Sequence, residues 1–383
     1  MASWFNSAGE IHKQLQISSE NLGMIDMSFL LSLAFGNLIF GILGDKYQQK
    51  KVLCFCSFLA CLVYSMIILF GYLQVLTITG FTVLFALLGL FESSIYPMTV
   101  AIMGQVYSYE KRGRIIGIWS INAATGDIAG YFLSSLILDF FKSWVIVSLI
   151  SLGIFFLVFL ITYWLMESLP RPETKPQIAI IDALRLPTVI NYCLCYSCIK
   201  LLHMAILIWI PYYLEVELDM NFSQEGILMI LYSLGGVIGS VTSGILSDHV
   251  SDRSYILLIM LSLSFPIINI LGFELGTSTK VSFGISFIIG GLISGGSTLL
   301  SAVVAADMCD LETKVEAKST LTGLVDAFGG FGASLGQFAI GRLQEYSWSA
   351  VFGLMLVANF LGIAALAPVA FKAFRNRKYK EFS

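Results

Sequence analysis

Long runs of apolar residues separated by short polar stretches dominate this chain. Eleven runs have the roughly 20 residues that an α-helix needs to cross a lipid bilayer, and none alternates with the two-residue period of a membrane strand. They cover residues 24–43, 52–73, 76–103, 115–138, 144–166, 187–212, 226–246, 255–273, 281–305, 319–340 and 348–371. The pattern predicts an all-α polytopic membrane protein. Composition agrees, because only 12% of the 383 residues are charged, about half the share in soluble domains.

The distribution of Lys and Arg predicts the orientation. Seventeen of the 22 lie in one set of alternate loops and in the C-terminal tail, four lie in the opposite loops, and Lys200 lies inside a run. Because cytoplasmic loops are rich in Lys and Arg, we expect the basic tail 372–383 in the cytoplasm. Eleven crossings then place the N-terminus on the other side. We expect no cleavable signal peptide, since no short basic and apolar segment precedes the first run.

An internal repeat predicts two parallel-related helical bundles. The sequence Gly-Ile-Leu-Gly-Asp at 41–45 recurs as Gly-Ile-Leu-Ser-Asp at 244–248, and each copy ends a run and begins a short loop. Parallel repeats are one of the known transporter architectures. We predict an N-terminal bundle of five spans over 1–168 with a polar segment at 1–23. A linker at 169–185 would join it to a C-terminal bundle of six spans over 186–371.

The repeat also predicts a further helix at the start of the first bundle. The run 187–212 precedes the second copy of the motif, and its counterpart 203 residues earlier would fall mostly before Met1. Either that helix lies outside this sequence or the protein lacks it. In the second case a gap beside the bundle would need cover, and a partner helix or subunit is the expected cover.

Lys200 is the leading candidate for binding an anionic solute. A charge inside a span normally faces a cavity or a partner, so Lys200 predicts a phosphate site or an ion pair with Glu92, Asp127 or Asp326. His203 lies three residues later and shares the same helix face. It would donate to phosphate, carry a proton or hydrogen-bond a neighbouring helix.

Five further positions are candidate cavity residues, and Tyr96 is one of them. Glu92 stands in a span just before Tyr96, where a carboxylate would exchange protons or pair with a cation. Trp119 and Asn122 lie one turn apart, on a face that lines a cavity or packs on a helix. Asp326, inside the glycine-rich stretch 323–332, would contact substrate or hydrogen-bond between closely packed helices.

The repeated loop motifs are candidate gates. Acids at helix ends and bases beyond them can pair across loops in one conformation and separate in another; the alternative is a solvated, positively charged loop. The gating candidates are Gly41, Gly44, Asp45, Lys50 and Lys51 in the first copy and Gly244, Asp248 and Arg253 in the second.

Several other classes of function are not expected. Cys193, Cys195 and Cys198 share one span without a completing ligand set, so we expect no metal. No phosphate-binding loop or nucleophile triad is present, so we expect neither a cofactor nor an enzyme. A net charge of −3 offers no basic excess for nucleic acid.

Taken together, the motifs resemble those of the major facilitator superfamily, and within it the sugar-phosphate exchangers of the organophosphate:phosphate antiporter type. The glycine, aspartate and basic residues of 41–51 are similar to the loop signature between the second and third helices of that superfamily. The matching stretches are 111–113, 117–119, 183–187 with Lys200, 235–239, 305–307, 318–320, Asp326 and 332–336.

The resemblance implies a twelve-helix fold, exchange of a phosphorylated sugar for phosphate by alternating access, and a home in the endoplasmic reticulum or another endomembrane. It places Trp119 and Asn122 on the cavity. Asn122 replaces a family histidine, Glu92 replaces a glutamine, and Ser-Gly-Gly at 294–296 replaces Asn-Gly-Pro. Two alternatives stay open: a transport-inactive relative serving as a structural or assembly subunit, and a proton-coupled anion symporter.

Overall fold

The structure is a computed structural model, and its described part is mainly helical. It describes residues 2–75, 77–106, 121–167, 182, 184–185, 188–248, 250, 253–274, 279–304 and 318–381. Most of the predicted linker, Trp119 and most of the loop before Lys318 lie outside these residues.

Fourteen α-helices are numbered here in chain order over that part of the chain. The first eight are α1 Ala2–Phe5, α2 Ala8–Leu15, α3 Ser19–Lys46, α4 Gln49–Tyr72, α5 Ile78–Glu92, α6 Ile95–Val106, α7 Ile121–Phe141 and α8 Trp144–Leu165. The remaining six are α9 Val189–Val216, α10 Phe222–Asp248, α11 Ser254–Glu274, α12 Thr279–Thr298, α13 Lys318–Gln344 and α14 Trp348–Glu381. A π-helical segment, Leu299–Val304, continues α12.

The helices confirm the all-α membrane architecture. Nine of the eleven predicted spans coincide with stretches that are long and apolar enough to cross a bilayer among the described residues. The other two predicted spans are occupied by α7 and α13, of 21 and 27 residues. Large apolar side chains such as Phe55, Leu157 and Phe360 are more than half exposed, as expected for a surface that faces lipid tails.

The predicted span 76–103 is two helices rather than one. Proline has no N–H and clashes with the carbonyl four residues before it, so Pro97 disfavours a continuous helix at Ser93. The hydroxyls of Ser93 and Ser94 donate to the carbonyls of Leu90 and Phe91, at 2.6 and 2.9 Å. The backbone groups at the break are therefore satisfied inside the protein, as a membrane interior requires.

The predicted polar N-terminal segment 1–23 is largely helical. Ser18 caps α3 by accepting from the backbone N–H of Asn21 at 3.3 Å, and α1 and α2 precede that cap. Trp4 of α1 is 2% exposed and lies 4.5 Å from the ring of Phe85, centroid to centroid. Its side chain also hydrogen-bonds the buried carboxyl of Asp26. Burial of this indole explains why a mostly polar segment is ordered.

The chain forms two compact units. The first comprises Met1–Pro176 with Ile208–Gly226 and Ser334–Glu345. The second comprises Gln177–Leu207, Ile227–Ala333 and Tyr346–Ser383. Each unit is described by itself below, and the linker at 169–185 remains a prediction.

The second unit is built around an apolar cluster and a glycine seam. Cys193, Cys195 and Ile199 of α9 are buried with residues of α11, α13, α14 and the π-helical segment. Glycines let α10 and α12 approach closely, because a Cβ on Gly239 would lie 2.6 Å from the Cα of Gly291. Such small-residue contacts are a main way that membrane helices associate.

Substitution in the glycine seam is expected to destabilise the protein. In Gly239→Ala, the new methyl group meets the backbone of α12 and forces the helices apart, at a cost of about 1–3 kcal/mol. Gly284→Ala is the matched control, because its Cβ meets nothing within 4 Å and alanine favours a helix by about 1 kcal/mol. Thermal unfolding in detergent would measure both. Equal melting temperatures for the two variants would contradict the seam.

Candidate functional site

Lys200 lies part-way along α9, half-buried, in the second unit. Its ammonium Nζ is 5.9 Å from the ring centroid of Tyr196, one turn earlier. The carboxyl of Asp326 on α13 interacts electrostatically with this ammonium. The structure therefore brings together two of the predicted site residues and adds a phenol to them.

His203 lies on the same side of α9 and contacts α10. Its Nδ1 is 2.8 Å from the hydroxyl of Tyr232, and the two rings stack with centroids 5.8 Å apart. When the phenol donates to Nδ1, Nε2 carries the ring proton and is a donor. A Cβ on Gly290 would collide with the carbonyl of Tyr232, so the glycine seam sets the position of this phenol.

The carboxyl of Asp326 is held by hydroxyl groups. The Tyr196 hydroxyl hydrogen-bonds with Asp326, Ser297 and Ser301, and Ser301 also bonds with Asp326. Ser301 belongs to the π-helical segment, and such segments often occur at functional sites. Tyr196 is 3% exposed, whereas Lys200 is half-buried and accessible in part.

This arrangement, called the Lys200 cluster, has the chemistry of an anion site. It consists of Lys200, His203, Asp326, Tyr196 and Tyr232. The ammonium is a point charge for phosphate, and Nε2 of the imidazole adds a hydrogen-bond donor, while the phenols hold His203 and Asp326 in place. Asp326 neutralises the ammonium without solute, which lowers the cost of a buried charge. An arriving anion would compete with that carboxylate for the same cation.

The other predicted cavity residues lie in the first unit or outside the described residues. Glu92 ends α5, half-buried, beside Tyr64 and Cys61 of α4. Tyr96 follows in α6 and is 44% exposed. Asn122, in the first turn of α7, is exposed. Trp119 lies outside the described residues, so the predicted face shared with Asn122 stays a prediction.

The gating candidates are described in part. Gly41, Gly44 and Asp45 lie in the last turns of α3, and Asp248 ends α10. The side chains of these two acids lie outside the described part of the structure.

Among the gating bases, Lys50 donates to the carbonyl of Met166 at the end of α8. Lys51 lines an open cavity of about 300 Å³ with Tyr47 and Phe55. A Cβ added at Gly244 would meet no atom within 4 Å. Arg253 is half-buried just before α11. Their gating role remains a prediction.

At the opposite end of the first unit, helices of both sequence halves meet around α1 and α2. We call this end the amino-terminal face; it holds the starts of α3 and α10 and the ends of α9 and α13. Lys13 pairs with Glu215 at 3.0 Å, and Arg342 with Glu20 at 2.7 Å. Burial lowers the pKa of the Lys13 ammonium, but the hydrogen bond to Glu215 and the negative charge of that carboxylate raise it more. The pKa of Lys13 therefore lies above its ordinary value.

Buried contacts continue this face into the bundle. The indole of Trp209 donates to Gln337 at 2.7 Å. The helices α3 and α13 cross at Gly23 and Gly341, where a Cβ on Gly23 would lie 3.1 Å from the Cα of Gly341. The amino-terminal face is therefore closely packed in this conformation.

Sequence reasoning missed the residues that bond across helices. Tyr196 had one available signal, since it lies four residues before Lys200 on the same face. Tyr232 and Ser301 carry no such signal, because they lie outside α9 and the sequence does not show which residues of neighbouring segments face it. No group of three His, Cys, Asp or Glu side chains that could hold a metal occurs in the described part of the chain.

Comparisons with known proteins agree with this fold. The family described as Major Facilitator Superfamily matches residues 1–337 and 192–382. The fold of the chain is similar to that of a single-residue mutant of the nucleoside transporter NupG, with a TM-score of 0.72 at 15% identity, covering 96% of this chain and 95% of that one.

Curated relatives are similar along most of their length. Glucose-6-phosphate exchanger SLC37A2 of Xenopus laevis is 28% identical over 93% of this chain and 81% of its own. Sugar phosphate exchanger 3 of Gallus gallus is 28% identical over 92% and 80%. Putative glycerol-3-phosphate transporter 5 of Arabidopsis thaliana is 27% identical over 92% and 80%.

The chain belongs to the major facilitator superfamily, a family of multi-pass membrane transporters. Within it, the resemblance to the sugar-phosphate exchangers is confirmed by the curated relatives. These relatives are transporters and not enzymes, as the sequence predicted.

The two ion pairs at the amino-terminal face are expected to differ in strength. Glu215 is 4% exposed, so Lys13→Met leaves a buried carboxylate without its cation, at a cost of about 1–3 kcal/mol. Arg342→Met is the control, because Arg342 is 60% exposed and its partner 33%, and exposed pairs contribute about 0–1 kcal/mol.

Thermal unfolding of the purified variants in detergent would compare these costs. Adding Glu215→Gln to Lys13→Met is expected to recover part of the lost stability, because the orphaned charge is removed. Equal losses for Lys13→Met and Arg342→Met would show that the burial of Glu215 has no energetic effect.

Proposed function

We propose that the protein exchanges a phosphorylated sugar, or a similar organic anion, for inorganic phosphate by alternating access. The observation that carries the proposal is the Lys200 cluster, a half-buried ammonium inside a span whose near neighbours are an acid and donors. The names of the curated relatives support a sugar phosphate or glycerol 3-phosphate as the solute.

The charge balance of the cluster lets an anion bind and leave reversibly, as exchange requires. With Asp326 as its counter-ion, Lys200 costs less to bury, and a bound phosphate can take the place of that carboxylate. Loss of the anion would return the ammonium to the carboxylate. An anion arriving from either side of the membrane therefore competes with the Asp326 carboxylate for Lys200, as both exchanged solutes must.

The conformational cycle is assigned to two sets of contacts. Closure of the amino-terminal face rests on the pairs of Lys13 and Arg342. The repeated motif loops, with Asp45, Lys50, Asp248 and Arg253, would close the cytoplasmic side. The excess of Lys and Arg supports a cytoplasmic C-terminal tail. The resemblance to the sugar-phosphate exchangers implies an endomembrane such as the endoplasmic reticulum.

Neutralising Lys200 is expected to weaken exchange strongly. Purified protein in liposomes loaded with phosphate would be assayed for uptake of labelled glucose 6-phosphate and glycerol 3-phosphate. A hydrogen bond between charged groups contributes about 1.5–3 kcal/mol, so Lys200→Gln should lower uptake at limiting solute about 10- to 100-fold. Lys372→Gln, at an exposed position of α14, is the matched control.

Each other result selects a different reading. Unchanged exchange in Lys200→Gln would overturn the assigned site. Uptake driven by a proton gradient without internal phosphate would favour a proton-coupled anion symporter. Folded wild-type protein without any exchange, co-purifying with a stoichiometric partner, would favour a structural subunit.

The orientation is tested separately from transport. A C-terminal tag should be digested by protease added outside sealed microsomes, because the basic tail is expected to face the cytosol. An N-terminal tag should resist digestion until detergent opens the membrane. Protection of the C-terminal tag would reverse the assigned orientation.

A further inference from the structure

Glu225 is a buried acid that the proposed exchange does not use. It lies in the first turn of α10, at the amino-terminal face, and its side chain is 0% exposed. Neither carboxyl oxygen has a hydrogen-bond partner among the described residues. A polar group in this situation loses its hydration without compensation.

The charged groups around this carboxyl are mostly negative. Glu215 faces it from α9, Asp139 from α7, and Lys13 from α2. Glu10 of α2 adds a further negative charge beside Glu215. Among the described groups that act on Glu225 and Glu215, acids therefore outnumber bases.

The nearby cation is already engaged. Lys13 donates to Oε1 of Glu215 at 3.0 Å, and the second oxygen of Glu215 has no partner in the described part of the chain. Asp139 accepts a hydrogen bond from Ser223. Lys13 therefore offsets one buried acid, and the charge of a second would remain unbalanced.

An ionised Glu225 would be costly in this position. Moving a carboxylate out of water costs several kcal/mol even after the protein relaxes, unless a partner compensates. Adding a proton removes the charge, and with it most of that penalty and the repulsion from Glu215 and Asp139. The neutral acid is the form that this site accommodates.

We propose that Glu225 is a proton-binding site, occupied while the amino-terminal face is closed. When that face opens, water reaches the carboxyl and it releases its proton. The ligand is a proton, and the site is separate from the Lys200 cluster. The binding of the proton in the closed form does not depend on the proposed function. The release of the proton on opening rests on the alternating access of the proposed exchange.

Proton binding at Glu225 would make the closed form sensitive to pH. Because the closed form holds a proton that the open form releases, acid favours closure and alkali favours opening, by linkage. Loss of this proton at high pH would also weaken the folded protein, since the charge would then be buried.

The proton can be counted directly. Purified wild-type protein and Glu225→Gln would be unfolded with detergent in weak buffer near neutral pH, and the released protons measured with an indicator dye. In the unfolded chain, the Glu225 side chain has the ordinary pKa of glutamic acid and is ionised at this pH. The wild type should therefore release one proton more per chain than Glu225→Gln.

Two further variants make the result decisive. Glu217→Gln, at an exposed position near the same face, should release as many protons as the wild type. If Glu225→Gln does not fold, Glu225→Met replaces it, because an apolar side chain of similar size is often tolerated at a buried charge. Equal proton release from the wild type and a folded Glu225 variant would overturn the proposal.

The count needs no transported solute, so its outcome is separable from that of the exchange assay. A difference of one proton supports the site even if glucose 6-phosphate is not carried. Normal exchange with no difference in protons would remove Glu225 from the cycle and leave the proposed function intact.

Discussion

The cost of placing charge inside a membrane protein governs this structure. Every ionisable group that leaves water needs an opposite charge, hydrogen bonds or a proton. Lys200 has Asp326 and the ring of Tyr196, and Glu215 has Lys13. Glu225 has neither an opposite charge of its own nor a hydrogen bond among the described residues, which makes it the exception that needs explanation.

The same constraint acts on the backbone. Where the chain departs from a regular helix, side-chain hydroxyls accompany the departure. Ser93 and Ser94 donate to carbonyls at the break before Pro97. In the π-helical segment, Ser301 bonds to Tyr196 and Asp326. Both irregular places lie in predicted spans, and both stand next to candidate site residues, a pattern typical of transporters.

Close packing by glycine links the fold to the site. The seam between α10 and α12 holds the backbone of Tyr232 against Gly290, and the hydroxyl of Tyr232 bonds to His203. On the other side of α9, a Cβ on Gly332 would collide with Ser197. Because glycine has no Cβ, α13, which carries Asp326, can pack closely against α9. The cluster around Lys200 is thus a product of helix contacts that larger residues would prevent.

The sequence alone determined the class of fold, because apolar length and charge depletion are properties of each segment by itself. It also singled out Lys200 and His203, since a cation inside an apolar run is conspicuous without any neighbour. It left open which acid faces Lys200, and the structure answers with Asp326. No local pattern could supply that answer, because α9 and α13 are more than a hundred residues apart.

The order of the N-terminal segment and the isolation of Glu225 were decided by tertiary structure alone. In the sequence, Trp4 stands in a polar stretch and Glu225 resembles an ordinary acid at a helix start. Burial depends on which helices pack over a residue, and that requires contacts between distant parts of the chain. Hydrophobic pattern specifies what can be buried, and three-dimensional packing specifies which polar groups are buried with it.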